Sequence, residues 1–153
     1  MSKPTAIDAL SIAKLDLKQE SQLDAIFPII KQLRPHLNIA NFKELIVQMS
    51  SENYEVWACL NAEKEILAIA GIRVYTDFVR GPHLYIDDLI CDQRHRSSGV
   101  GAFLLHEIEK VAMAKGIPNL RLSCVIENLG ALKFYERLGW QRRAYALVKK
   151  ITA

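Results

Sequence analysis

Little in this sequence is scarce enough to signal a special class, and what is scarce excludes several. There are only three cysteines, Cys59, Cys91 and Cys124, widely spaced among apolar neighbours. An odd count without a Cys-x-x-Cys pair does not make a disulfide framework. The four histidines show no metal-ligand spacing with them, so no metal is expected. No apolar run approaches the roughly 20 residues that span a bilayer, and no membrane association is expected. The N-terminus lacks the long apolar core of a signal peptide, and Asp8 breaks the short apolar stretch there. No repeat, low-complexity tract or Gly/Ser linker divides the chain. Free thiols make a reducing cytoplasm the simplest compartment.

What is present is ordinary globular material. The 153 residues are 50% hydrophobic and 24% charged, with a net charge of +3. That suits one domain, residues 1–153, able to remove about 70% of its unfolded surface from water. Basic residues are scattered apart from two small clusters, 94–96 and 142–150. Neither is the stripe or recognition helix of a nucleic-acid binder, and nucleic acid is not expected as a partner.

Hydrophobic periodicity sets out the elements. A strand is expected over 9–15. A helix then runs to about Leu33, opened by Asp16 and Gln19 in the manner of a capping box and stopped before Pro35. Asn41 and Glu44 repeat the capping signal for a helix to about Ser51. Residues 54–60 and 66–75 form a β-hairpin by composition, and 82–91 another strand. A long helix over 99–115 ends at Gly116, with a strand after it over 120–126. Asn128 caps a short helix to Leu138, and 140–151 reads as a last strand. The class is α+β (mixed α/β), with one mixed sheet flanked by helices.

Chemistry concentrates where the 82–91 strand turns into the long helix. Gly99 and Gly101 clear side chains from a helix N-terminus whose free N–H groups suit a phosphate. Arg94, His95 and Arg96 add charge, and Ser97 and Ser98 add hydroxyls. A P-loop needs a Lys that is missing, and a dinucleotide fingerprint needs a glycine where Leu104 stands. On spacing alone, a glycine turn for strand–helix packing explains the pattern equally well. Asp87 and Asp88 stand side by side in the strand, where alternation sends them to opposite faces. Cys124 reads as a buried strand cysteine rather than a nucleophile.

Two separated motifs carry a resemblance. Arg96-Ser97-Ser98-Gly99-Val100-Gly101 resembles the Arg/Gln-x-x-Gly-x-Gly/Ala loop of the GNAT N-acetyltransferase superfamily. Residues Asn128-Leu129-Gly130-Ala131-Leu132-Lys133-Phe134-Tyr135-Glu136-Arg137-Leu138-Gly139-Trp140 resemble its Asn-x-x-Ala-x-x-Phe-Tyr-x-x-x-Gly-Phe segment. Residues 32–37 and 84–89 further resemble a bacterial branch of unassigned acceptor. The resemblance implies a largely antiparallel sheet with a splayed parallel strand pair, and direct transfer of acetyl from acetyl-CoA to a primary amine of a small molecule, peptide or protein. It implies that the pyrophosphate meets N–H groups from Arg96 to Ala102, Val100 among them. Backbone at Ile90 and Cys91 would pair with the pantetheine, Asn128 would bond it and Ala131 would leave it room. Arg94 or His95 would meet the 3′-phosphate, and Tyr135 would protonate the leaving thiolate. Asp87 falls where some relatives carry a glutamate base, with Asp88 and then Glu127 as the other candidates. Acceptor choice would involve Arg34, His36, Tyr75, Asp77 and Tyr85. Dimers are common in the family, but no interface is named by this sequence. A non-catalytic acyl-CoA-binding regulatory module is the alternative.

Overall fold

The computed structural model describes residues 9–96 and 98–152. The chain divides into two compact units, Met1–Arg121 and Leu122–Ala153. The elements run β1 (Ser11–Lys14), α1 (Glu20–Leu33), α2 (Ile39–Ser51), β2 (Glu55–Leu60), β3 (Ile66–Asp77), β4 (Gly81–Cys91), α3 (Val100–Ala114), β5 (Leu120–Leu122) and α4 (Leu129–Arg137). A single 3₁₀ turn, Gln93–His95, lies between β4 and α3.

The five strands follow chain order in one sheet. β1 to β4 are antiparallel neighbours, and β5 runs parallel to β4. The β2–β3 turn is built by Asn61, whose side chain accepts from the N–H groups of Glu63 and Glu65. α1 and α2 cover one face of the sheet. Leu23, Ile26, Ile30, Phe42 and Ile46 pack there with Val56, Ala58, Ile69 and Ile90. Each of the Leu, Ile, Val and Phe side chains among them contributes about 1.5–3 kcal/mol when taken from water. α3 packs against β2, β3 and β4 through buried Leu104, Leu105 and Ile108.

Helix starts depart from the sequence reading in detail. α1 has Gln19 at its N-cap with no side-chain cap bond. Asp16 instead accepts from Lys18 N–H, and the Gln22 side chain accepts from Asp16 N–H. α2 is capped by Asn38, whose side-chain carbonyl accepts from Asn41 N–H at 2.8 Å, so the cap lies three residues earlier than expected. Both corrections have one cause: an Asx side chain satisfies whichever orphan amide the tertiary path leaves beside it. α3 stops as expected at Gly116, with φ +71°.

The strand expected over 120–126 is shortened to Leu120–Leu122. The strand expected over 140–151 is absent from the described residues, which are irregular from 140 to 152. Tyr145, Leu147, Val148 and Ile151 carry strand-like composition but are exposed. Composition makes a strand only where a neighbouring ladder takes up its backbone groups.

Candidate active site

The β3–β4 register decides the geometry. Ile69 lies opposite Ile90, Gly71 opposite Asp88, Arg73 opposite Tyr85 and Tyr75 opposite His83. Between Gly71 and Ile72 the register shifts, so Asp87 has no residue opposite it on β3. It is the extra residue of a β-bulge. Directly opposed residues share a face, and so do residues two apart on a regular strand. Tyr85 and Asp88 therefore share the face of Gly71 and Arg73, and the Asp87 side chain meets Arg73 there as well. Alternation had sent the two carboxylates to opposite faces; the bulge brings both to one.

Their situations on that face differ. Asp88 is bonded through both oxygens: Oδ1 accepts from Arg34 Nε at 3.2 Å and Nη2 at 3.0 Å, and Oδ2 accepts from the Tyr54 hydroxyl at 2.8 Å. Asp87 Oδ2 accepts from Arg73 Nε at 3.0 Å, while Oδ1 has no hydrogen bond among the described residues. Arg73 reaches on to Glu52 at 2.9 Å. Burial pushes the Asp87 carboxyl above its usual range, against the pull of the Arg73 guanidinium and with a further push from Asp88.

Tyr54 is the buried member of this cluster. Burial first, then the charge of Asp88, pushes its phenol well above the usual range, so it stays a donor. Its ring carries the Arg73 guanidinium at 5.3 Å. A Cβ at position 71 would stand 1.8 Å from the Tyr54 hydroxyl, so the tyrosine reaches Asp88 only across a glycine. Neither Tyr54 nor Gly71 has a motif to announce it. Arg73 had a weak one, as a charged residue inside an apolar strand.

The turn after β4 is organised by Asp92, which is buried. Its carboxylate accepts from Arg94 N–H at 3.2 Å and from Arg94 Nη2 at 2.8 Å; these bonds hold it below the usual range. Arg94, expected at a phosphate, is thus engaged by Asp92, though its side chain is 72% exposed. The Ser98 hydroxyl donates to the His95 carbonyl, and Ser97 lies outside the described residues. Gly99 caps α3 in the left-handed region at φ +81° with no side-chain cap bond. The first-turn amides therefore carry no helical partner, and Gly101 N–H is directed at the Cys91 thiol. Ile90 and Cys91 pair with Ile69 and Ala68 on one side. On the other, Leu84 N–H bonds Asn119 O at 3.0 Å, and β5 is three residues against eleven in β4. A parallel strand so short that begins there does not reach Leu89–Cys91.

Acceptor-side candidates divide likewise. Arg34 is committed to Asp88. Asp77 holds the hairpin turn through Val79 and Arg80 N–H. Tyr75 and Tyr85 meet edge to face at 6.1 Å, and His36 is exposed. The Arg121 guanidinium lies 5.7 Å from the Tyr85 ring centre.

In the second unit, Asn128 caps α4, its side-chain oxygen accepting from Ala131 N–H at 3.1 Å. Its NH₂ group has no hydrogen-bond partner among the described residues. Tyr135 packs edge to face on Phe134 and Trp140, and burial pushes its phenol up to about 12. Glu127 is exposed. Cys124 is half-buried and lies past the end of β5, not inside a strand; all three cysteines are free thiols.

These positions meet a known pattern. The profile of the acetyltransferase (GNAT) family matches residues 21–140. The chain belongs to that family. As a GNAT acetyltransferase it is similar to an uncharacterized N-acetyltransferase, YhdJ, of Bacillus subtilis, 28% identical over 127 residues, covering 82% of this chain and 89% of that protein. Over 62 residues it is 31% identical to the thialysine N-epsilon-acetyltransferase of Bos taurus, covering 40% of this chain and 36% of the relative. Over 67 residues it is 30% identical to the L-ornithine N5-acetyltransferase NATA1 of Arabidopsis thaliana, covering 44% and 29%. The fold is that of an aminoglycoside N-acetyltransferase AAC(6′)-Iy crystallised with CoA, at TM-score 0.78 and 15% identity over 94% of this chain and 95% of that one. The enzyme is thus an N-acetyltransferase on a mixed α+β fold. Among the described residues no helix is long and apolar enough to cross a membrane.

Proposed function

We propose that residues 1–153 act as one GNAT domain that moves acetyl directly from acetyl-CoA to a primary amine, with Asp87 taking the amine proton. One observation carries this reading: a half-buried carboxylate whose pKa is raised, with one oxygen unbonded, on the strand that leads into a glycine-capped helix N-terminus. A primary amine is protonated near neutral pH and must lose a proton before it attacks the thioester. An elevated carboxylate is better matched to that task than an ordinary aspartate. Asp88 is the weaker candidate because three hydrogen bonds already engage both of its oxygens, and Glu127 because solvent surrounds it.

The donor side is supported by the same strand. Amides from Arg96 to Ala102 suit the pyrophosphate, that of Val100 at the head of α3 directly and that of Gly101 only by leaving the Cys91 thiol, and the β4 edge at Ile90 and Cys91 suits the amides of the pantetheine. Asn128 keeps its NH₂ group for a carbonyl of that arm while its oxygen caps α4. Tyr135, held protonated by burial, suits the leaving thiolate. Arg94 and His95 are left as 3′-phosphate contacts, Arg94 only by exchanging Asp92 for the ligand. The three free thiols support a reducing, cytoplasmic setting.

Within the amines, Arg121 favours an acceptor that also carries a carboxylate. It has no carboxylate partner among the described residues and lies beside Tyr85, two residues before Asp87. Two of the sequence relatives name amino acids, thialysine and L-ornithine, whereas the structural neighbour AAC(6′)-Iy names an aminoglycoside. The test is CoA release with a panel of amines, pairing each amino acid with the diamine of the same length. Faster turnover of the amino acids, lost in Arg121→Gln, supports the assignment. Binding of acetyl-CoA with no transfer to any amine would leave the regulatory acyl-CoA module standing instead.

A further inference from the structure

We infer that Arg34 and Tyr54 are positioning residues that, through Asp88, hold the β4 bulge in the form that presents Asp87. This rests on the reading of Asp87 as the base. A bulge residue lacks the ladder bonds that fix a regular strand, so something else must fix Asp87. Its carbonyl accepts from Arg34 Nη2 at 3.3 Å, and the same guanidinium grips Asp88 Oδ1 through Nε and Nη2. One arginine thus ties the backbone of the bulge to the side chain of the next residue.

The three anchor points come from separate elements. Arg34 is the C-cap of α1, its own N–H bonded to Ile30 O, and Pro35 turns the chain away. Tyr54 stands just before β2, is only 5% exposed, and crosses Gly71 to give Asp88 its third bond. The Arg34 side chain is 41% exposed. Solvent screens a pair so placed, which makes it a poor source of stability. Its planar fork is a good source of orientation. Arg73, itself held by Glu52, then fixes Asp87 from the β3 side and leaves Oδ1 available.

Asp87 is faced by Arg73 from β3, by Arg34 from the end of α1, by Asp88 within β4 and by Tyr54 ahead of β2, with Glu52 behind Arg73. Removing Arg34 takes away a cation that favours the carboxylate and uncovers Asp88, both of which raise the proton affinity of Asp87. Tyr54→Phe changes no charge.

The experiment uses the full chain as Tyr54→Phe, Arg34→Gln, Arg34→Lys and Asp87→Asn, each checked for cooperative thermal unfolding, with kcat and KM measured against pH. Tyr54→Phe and Arg34→Gln are expected to lose about tenfold in kcat, equal to about 1.4 kcal/mol, with KM for acetyl-CoA unchanged. Arg34→Gln is expected to move the acid limb of the rate profile to higher pH. Arg34→Lys, which keeps the charge without the fork, is expected to restore the limb but not the full kcat. Unchanged kcat in folded Tyr54→Phe and Arg34→Gln, beside an inactive Asp87→Asn, overturns the positioning role alone. Full activity in Asp87→Asn overturns the base assignment and the positioning role with it.

Discussion

Asp87 and Asp88 are consecutive in β4, yet both face the side of the sheet that carries Gly71 and Arg73, because Asp87 has no residue opposite it on β3. Adjacent carboxylates on one face repel unless cations separate them. Here Arg73 attends Asp87 and Arg34 attends Asp88. The pair is therefore unequal by construction: one carboxylate is bonded through both oxygens, the other is half free and raised.

That inequality predicts different losses. Asp87→Asn should lower kcat by about 10²–10⁴-fold, the usual contribution of a positioned base, and should abolish the acid limb. With Asp87 as the proposed base, the rate of the parent enzyme should fall as pH drops through the raised Asp87 pKa, since protonation removes the base. That limb should lie above the ordinary aspartate value of about 3.9. Asp88→Asn should leave a limb in place while lowering kcat less. Steady-state rates across pH for the two variants check this, and equal profiles would place the base elsewhere.

Gly71→Ala should disable the Tyr54 contact. A Cβ placed 1.8 Å from the hydroxyl forces the buried ring or the strand to shift, at about 1–3 kcal/mol for overpacking. Thermal denaturation should show that loss. Gly71→Ala combined with Tyr54→Phe should be less destabilised than the sum of the two, because both changes break the same Tyr54–Asp88 bond, but it should not recover the parent, since the ring carbons Cζ and Cε2 stay 2.4 and 2.7 Å from the added Cβ.

Gly99→Asp should weaken acetyl-CoA binding at least tenfold by setting a carboxylate where a pyrophosphate is proposed. Aspartate and asparagine tolerate the left-handed backbone at φ +81° better than other side chains. Gly99→Asn therefore separates charge from shape and should lose less affinity. Calorimetric titration of both variants is the check, and unchanged affinity in Gly99→Asp removes the loop from the donor site.

Tyr135→Phe should lower kcat by about 10-fold or more with little change in acetyl-CoA affinity. Burial holds the phenol up to about 12, so it stays protonated through the ordinary assay range. Equal losses in affinity and turnover would mark it as a packing residue on Phe134 and Trp140.

Most of the frame was legible because local patterns and tertiary demands agree. The apolar stripe of α3, the Asn128 cap and the Gly116 stop stand where their residues put them. Misreadings fell where a long-range partner decides. The Asp87 bulge depends on what β3 offers opposite it, which no period-two rule contains. Tyr54 acquires its role only because Gly71 is empty beneath it. The 140–151 stretch has strand composition, but no ladder forms among the described residues. Arg34 was legible as a polar residue near the acceptor side, while its fork onto Asp88, 54 positions on, was not.

Thermal unfolding with acetyl-CoA, CoA, ATP and NAD in parallel tests whether this enzyme takes acetyl-CoA as its donor. A ligand confined to the native state and present at a hundredfold excess over its Kd adds about 2.7 kcal/mol, or roughly 5–10 °C for a chain of this size. That shift is expected with acetyl-CoA and CoA, and none with ATP or NAD. No shift with either thioester or thiol, or an equal shift with all four nucleotides, would contradict it.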